Sequence, residues 1–315
     1  MFKSFSDIGH AVDFAFTLIM VVSVSLLALI TVLMITFVIK YHRSRHPVPA
    51  QVGSHAWLEV VWTLVPTILA LAMFYYGWIG FKLMRTPPPN AMEVTATAQM
   101  WSWSFEYENG KKSSELYVPA GTPVKVNLNA LDVLHSFYVP AFKVKQDAVP
   151  GLDDFVWFNP VDTGTFVIFC AEYCGQRHSY MLSKVVAVPE AEFLAWVEEG
   201  APDIEVVADL SDDEALARRQ RQGERLSQLK GCNACHTTDG TALVGPSYKG
   251  LLGRTSTVVT NGETRRVVVD GDYIRKSILE PTADIVEGFQ PLMPSQKGLM
   301  TDDEIDSVIE YLKTL

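Results

Sequence analysis

The sequence predicts a multidomain membrane protein: a transmembrane hairpin of two helices, a small β-barrel of sandwich type, and a C-terminal all-α domain. Three observations carry this reading. Two runs near the N-terminus, Phe14 to Ile39 and Val60 to Phe81, contain no charged residue. From Glu93 the chain reads as short strands separated by Gly and Pro turns. An acidic, turn-rich stretch after residue 200 then leads into helix-periodic sequence. The expected boundaries are 1–89 for the hairpin, 90–200 for the barrel, 201–215 for an acidic linker and 216–315 for the last domain.

A chain of 315 residues has room for two or three domains. Its 36 acidic and 26 basic residues leave a net charge of -10, which argues against nucleic-acid binding. The four cysteines fall in two close pairs, Cys170 with Cys174 and Cys232 with Cys235. Both spacings suit cofactor chemistry, so no disulfide framework remains.

Each apolar run exceeds the ~20 residues that cross a bilayer, and helices are expected over about 12–39 and 57–84. Pro66 and Gly77 are tolerated inside a membrane helix. The first run is too long for a signal-peptide core, and no small-residue cleavage site follows it. The connector carries Lys40, Arg43 and Arg45, which assigns it to the cytoplasmic side. Both chain ends and everything after about residue 85 then lie on the opposite side. Trp57, Trp62, Tyr75, Tyr76 and Trp78 suit the interface. Glu59 is the one acid at the start of the second helix. It is either a carboxylate favoured by the helix N-terminus or a functional intramembrane acid.

Thr86-Pro87-Pro88-Pro89-Asn90 is a stiff spacer. Ala98 to Tyr107 alternates as one strand, with Trp101, Trp103, Phe105 and Tyr107 on one face. Phe166-Val167-Ile168-Phe169 reads as a buried strand, and Lys184 to Val188 as its successor. Between them, Cys170 to Met181 holds two thiols, an imidazole and a thioether. His135, in Asp132-Val133-Leu134-His135-Ser136-Phe137, offers a second imidazole. Sulfur and imidazole suit copper, zinc or iron–sulfur centres. A closed zinc site of Cys170, Cys174, His178 and His135 would leave Met181 and Glu172 without a role.

The pattern C-x-E-x-C-G-x-x-H-x-x-M, with D-V-L-H-S upstream, resembles the binuclear copper site (CuA) of cytochrome c oxidase subunit II. The resemblance implies a cupredoxin-like barrel. It implies that Cys170 and Cys174 bridge two copper ions, that His135 and His178 cap one each, and that Met181 and the backbone carbonyl of Glu172 are weak axial ligands. Phe166, Phe169 and Tyr173 would exclude water. The Glu172 side chain would approach a magnesium ion shared with subunit I. Trp101 matches the family's tryptophan where electrons arrive. Glu59-Val60-Val61-Trp62-Thr63-Leu64-Val65-Pro66 is similar to the family's E-x-x-W-T-x-x-P segment, whose glutamate marks the mouth of a proton path. Lys143 to Gly151 is either a contact with the catalytic subunit or a solvated loop.

In the last domain, Gly231-Cys232-Asn233-Ala234-Cys235-His236 contains C-x-x-C-H, the attachment signature of c-type haem. Cys232 and Cys235 would form thioethers, and His236 the proximal ligand. Gly245-Pro246 follows at a loop position common in small cytochromes c. Met293, framed by Pro291 and Pro294, is the expected sixth ligand, with Met300 its competitor. A zinc knuckle would need a second ligand pair. Thr301 and Glu304 form a capping box for a last helix carrying Ile305, Val308, Ile309 and Leu312.

The whole chain thus resembles subunit II of a haem–copper oxidase in the variant with a fused C-terminal cytochrome c. That resemblance implies two copper ions, covalent haem c and a magnesium ion. It implies subunit I, with a low-spin haem, a high-spin haem and CuB, and subunit III as partners. The donor would be cytochrome c or an upstream quinol-oxidising complex. The setting would be a bacterial cytoplasmic (inner) membrane, with both termini and both metal domains on the periplasmic side. The alternative is a membrane-tethered electron carrier that delivers to a different acceptor. A nitrous oxide reductase would need more than the seven histidines present, and quinol-oxidase chains lack the copper ligands.

Overall fold

The computed structural model describes residues 4–6, 8–48, 53–199 and 211–315. Two long helices come first, α1 (Gly9–Lys40) and α2 (Ala56–Met84). Their side chains are largely exposed, as suits surfaces that lipid or a partner subunit would cover. The expected connector, Lys40 to Pro47, continues directly from the end of α1, and residues 49–52 lie outside the described residues. The opposite end of the hairpin is fastened to the β domain. Phe5 N–H donates to the Ala141 carbonyl (3.0 Å), and Val161 N–H donates to the Phe5 carbonyl (3.0 Å). Arg85 pairs with Asp154 at 2.8 Å, the Trp157 indole donates to the Leu83 carbonyl at 3.1 Å, and Lys143 pairs with Asp13. The N-terminal segment and the β domain therefore share one side of the hairpin.

The β domain is a sandwich of two five-stranded sheets. Its strands are β1 (Met92–Gln99), β2 (Ser102–Tyr107), β3 (Lys112–Ser113), β4 (Leu116–Pro119), β5 (Val124–Ala130), β6 (His135–Val139), β7 (Val144–Ala148), β8 (Asp154–Phe158), β9 (Gly164–Cys170) and β10 (Leu182–Val188). One sheet runs β3-β2-β1-β5-β8 and the other β4-β10-β9-β6-β7. Alternation along the strands turns Trp103, Phe105, Phe137, Phe158 and Ile168 into the core between the sheets. Helix α3 (Glu190–Glu198) closes the domain.

Three sequence expectations change here. Ala98 to Tyr107 is a hairpin rather than one strand: Gln99 pairs with Ser102, so the chain reverses at Met100–Trp101. Strand β9 is not buried throughout, because its alternation sends Ile168 and Cys170 inward and Val167 and Phe169 out. Lys143 to Gly151 is no loop, since most of it is β7 hydrogen-bonded along β6.

The C-terminal domain begins at α4 (Asp212–Leu229), inside the stretch expected to be linker. Ser211 and Glu214 form a capping box there, which supplies the free N–H groups of the first turn with acceptors. Residues 201–210 lie outside the described residues. Helix α4 crosses α6 (Asp302–Leu312) at Gly223, where a Cβ would fall 1.9 Å from the Ser307 carbonyl oxygen. Only glycine permits that crossing. The expected all-α fold is corrected by β11 (Thr255–Thr260), β12 (Glu263–Val268) and β13 (Ile285–Val286), a three-stranded sheet. Asn261-Gly262, both at positive φ, make its hairpin turn, and Thr and Val dominate β11. Helix α5 (Gly271–Leu279) follows, and the core gathers Leu226, Ile274, Ile305, Val308 and Leu312.

Candidate metal centres

Potential ligands from three elements meet at one end of the sandwich. His135 opens β6, Cys170 ends β9, and the β9–β10 loop supplies Cys174, His178 and Met181. Strands β6 and β9 are neighbours, with Phe137 opposite Cys170, so His135 and the loop are held side by side. Cys170 Sγ lies 3.7 Å from Cys174 Sγ and 3.8 Å from His135 Nδ1. Cys174 Sγ lies 3.6 Å from His178 Nδ1 and 3.8 Å from Met181 Sδ. The Glu172 carbonyl oxygen stands 3.3 Å from Cys170 Sγ. All six expected positions therefore converge.

Asp132 is the residue that sequence reasoning left without a role. Its carboxylate accepts from His135 Nε2 at 2.8 Å and from the N–H groups of Met100 and Val133, both at 2.7 Å. The bond to Nε2 turns Nδ1 toward the thiols, where its lone pair becomes available once the ring is neutral. The D-x-x-H spacing was the available signal. Burial disfavours the charged imidazole, but Asp132 and Cys170 outweigh it and lift His135 to about 9. Burial likewise pushes both thiols up. His135 reverses this for Cys170, which is lowered, while the neighbouring Cys170 charge adds to it for Cys174, which is raised.

The donor set can be tested against the metals. Met181 is fully buried with its sulfur in the cluster. A four-coordinate zinc of two thiolates and two imidazoles would use neither that thioether nor the Glu172 carbonyl. Two thiolates ringed by two imidazoles, a thioether and a carbonyl fit a copper pair. Phe169 and Tyr173 do not screen it, since they are 39% and 76% exposed. Trp103, buried and edge-on to His135 at 6.3 Å, and the buried Trp101 suit that role better because water does not reach them. The Trp101 indole donates to the Cys174 carbonyl at 3.0 Å. Glu59 is not part of this site. It sits in the first turn of α2, 25 residues before Met84, or about 38 Å along the helix axis.

A second site lies in the C-terminal domain. Cys232 begins a single 3-10 turn, Cys232–Ala234, and Cys235 follows it directly. His236 Nδ1 donates to the Pro246 carbonyl at 2.7 Å, leaving Nε2 free to ligate. Burial lowers the His236 pKa, and the Pro246 carbonyl offsets this in part, so the imidazole stays neutral as a ligand must. Gly245 leaves room for the ring, since a Cβ there would fall 2.5 Å from His236 Cε1. Tyr248 stacks on that imidazole at 4.7 Å and 10°. Cys232, Cys235, His236, Met293 and Met300 wall one cavity, joined by Met100 from the sandwich. Both candidate methionines thus reach the crevice. Gln296 lines it too, with a buried Oε1 that has no partner among the described residues. A mostly apolar slot with a free imidazole nitrogen, two thiols in one turn and an unmatched amide fits a covalent haem.

Family models match three segments of the chain. They are the cytochrome c oxidase subunit II transmembrane domain over residues 2–77, its periplasmic domain over 111–188, and cytochrome c over 220–315. A cytochrome c oxidase subunit 2 of Alkalihalophilus pseudofirmus is 29% identical, covering 94% of this chain and 86% of the relative. The subunit 2 of Metridium senile is 30% identical over 46% of this chain and 69% of the relative. The crystal structure of the periplasmic domain of subunit II of cytochrome oxidase of Bradyrhizobium japonicum is 33% identical. It covers 36% of this chain and 96% of that one, with a TM-score of 0.35. The chain belongs to the cytochrome c oxidase subunit II family, as a member with a C-terminal cytochrome c domain, and is a subunit of an oxidoreductase.

Proposed function

We propose that this chain is the electron-input subunit of a respiratory haem–copper oxidase. When bound, haem c and the copper pair would supply one-electron chemistry, taking electrons from cytochrome c or a quinol-oxidising complex toward the low-spin haem of subunit I, the subunit that would reduce oxygen to water with proton pumping. One observation carries the reading. Met100 walls the haem crevice, and the next residue, Trp101, is hydrogen-bonded to the carbonyl of Cys174. The two candidate centres are therefore neighbours across a single contact.

The roles of the residues follow from their chemistry. Cys170, Cys174, His135 and His178 would hold the two metals. Met181 and the Glu172 carbonyl would be weak donors that tune the potential. Asp132 holds the His135 tautomer. Trp101 places an aromatic ring and an N–H bond between the copper loop and the haem domain. Cys232 and Cys235 would attach the haem and His236 and Met293 would ligate it, a pairing that raises its potential. The Glu172 side chain serves the magnesium ion shared with subunit I, and Glu59 the proton path of that subunit. The sandwich and the haem domain face the periplasm from a bacterial inner membrane, and subunit III completes the complex. Domain limits of 1–89, 90–200 and a haem domain to residue 315 accord with this division, with α4 moving the start of the last domain to residue 212.

The test is stopped-flow reduction of the intact complex by its donor, compared with a Cys232→Ala, Cys235→Ala variant that cannot attach haem. Copper reduction is expected to slow at least tenfold in the variant. Equal rates would make the fused haem a side branch and end the proposed sequence of carriers.

A further inference from the structure

Resting on that reading, we infer that the haem domain is docked on the sandwich as a fixed partner, and that the docking closes Trp101 to external donors, which must deliver elsewhere on the haem domain. The contact is built from both sides. Gly231, just before the haem-attachment turn, abuts β2 so closely that a Cβ would lie 2.2 Å from Ser102 Oγ. Ala234, Cys235 and Val244 pack against the sandwich core, and Met100 enters the haem crevice. On the flank, the Arg225 guanidinium donates to the Lys112 carbonyl at 2.8 Å.

Two side chains show what this contact does. Trp101 occupies the tip of the β1–β2 hairpin between Met100 and Ser102, which both meet the haem domain, and it is only 4% exposed. Arg177 of the copper loop lies over the Tyr180 ring at 4.9 Å, with a buried Nε that has no partner among the described residues. A buried guanidinium Nε and a buried indole at a domain edge both mark a surface shaped for a permanent neighbour. A short tether alone gives an effective concentration of about a millimolar, enough for transient encounters without such a surface.

The experiment separates a docked domain from a tethered one. A protease site is placed between residues 203 and 209 of the full chain, and the purified, haem-loaded protein is cut at micromolar concentration. The C-terminal fragment is expected to co-elute with the membrane fragment on size exclusion. Hydroxyl-radical footprinting should find Trp101 protected. Ser102→Arg, which wedges Gly231 away, should release the cut fragment and raise Trp101 oxidation at least fivefold, with haem and copper spectra retained as a check on folding. A wild-type fragment that elutes alone, or a Trp101 oxidised as fast as in the wedge variant, overturns the inference. Either result leaves the carrier sequence itself standing, because a tethered domain can still deliver electrons. The donor kinetics above decide that question separately.

Discussion

The indole N–H of Trp101 donates to the backbone carbonyl of Cys174, between the two candidate centres. Trp101→Phe keeps the ring but leaves that carbonyl without its donor. A buried acceptor left unpaired costs about 1–3 kcal/mol. The sandwich is expected to melt a few degrees lower, and haem-to-copper transfer to slow. Differential scanning calorimetry and flash photolysis read the two effects. An unchanged melting temperature with an unchanged rate would leave the bond without a function.

The sulfur and imidazole cluster is expected to bind two copper ions per chain with a mixed-valence spectrum. Metal analysis of the purified protein gives the count, and one copper or a colourless zinc would refute the assignment. Asp132→Ala removes the partner of His135 Nε2 and should weaken copper binding by about 10–100-fold, as loss of such supporting contacts does elsewhere. Competition with a chelator measures it.

Met293 and Met300 both line the haem crevice, but only Met293 lies between prolines that stiffen its approach. Met293→His should convert a methionine–histidine haem into a bis-histidine haem of lower potential. Met300→Leu should leave the spectrum unchanged, because Met300 is buried among Leu226, Ile305 and Leu312 as packing. Loss of the sulfur-to-iron absorption band in Met300→Leu would reverse the two roles.

Asp284 ties the small sheet to α5. Its carboxylate accepts from Lys276 at 2.7 Å, from Arg265 at 2.8 Å and from Thr260. Burial alone would raise its pKa, but those three donors outweigh it and hold the carboxyl well below the ordinary range. Its folded pKa therefore lies below the unfolded value of about 3.9. The stabilisation is complete above that unfolded value and is lost as pH falls through the folded one. Asp284→Asn should cost about 3 kcal/mol at neutral pH, as breaking a buried ion pair does. The two proteins should converge in strong acid. Denaturant titrations of both across pH 2–7 test this, and parallel curves would rule out the linkage.

The sequence by itself determined what depends on near neighbours. Ligands packed within Cys170 to Met181 and within Cys232 to His236 act through a single loop or turn, so their spacing is legible without a fold. The membrane helices are legible for a similar reason, since an uncharged run long enough to span a bilayer has few other uses. His135, by contrast, stands 35 residues before Cys170 and is legible in the sequence only as a further imidazole on a separate strand end. Its actual approach depends on β6 pairing with β9, a contact between segments far apart in the chain.

Only the tertiary structure decided the rest. Alternation suggested one strand through Trp101, but a two-residue turn there reads locally much like continued strand, and pairing of Gln99 with Ser102 settled the reversal. That reversal places Trp101 in the turn between Met100 and Ser102, the residues that meet the haem domain. Phe169 failed as a screen because a strand side chain's face is set by register, not by its hydrophobicity. The sheet of β11, β12 and β13 needed a long-range partner, since β13 joins β11 across α5. Local chemistry chose the ligands. Hydrogen bonds and packing between distant segments chose what surrounds them, because such contacts form only once the whole chain has closed.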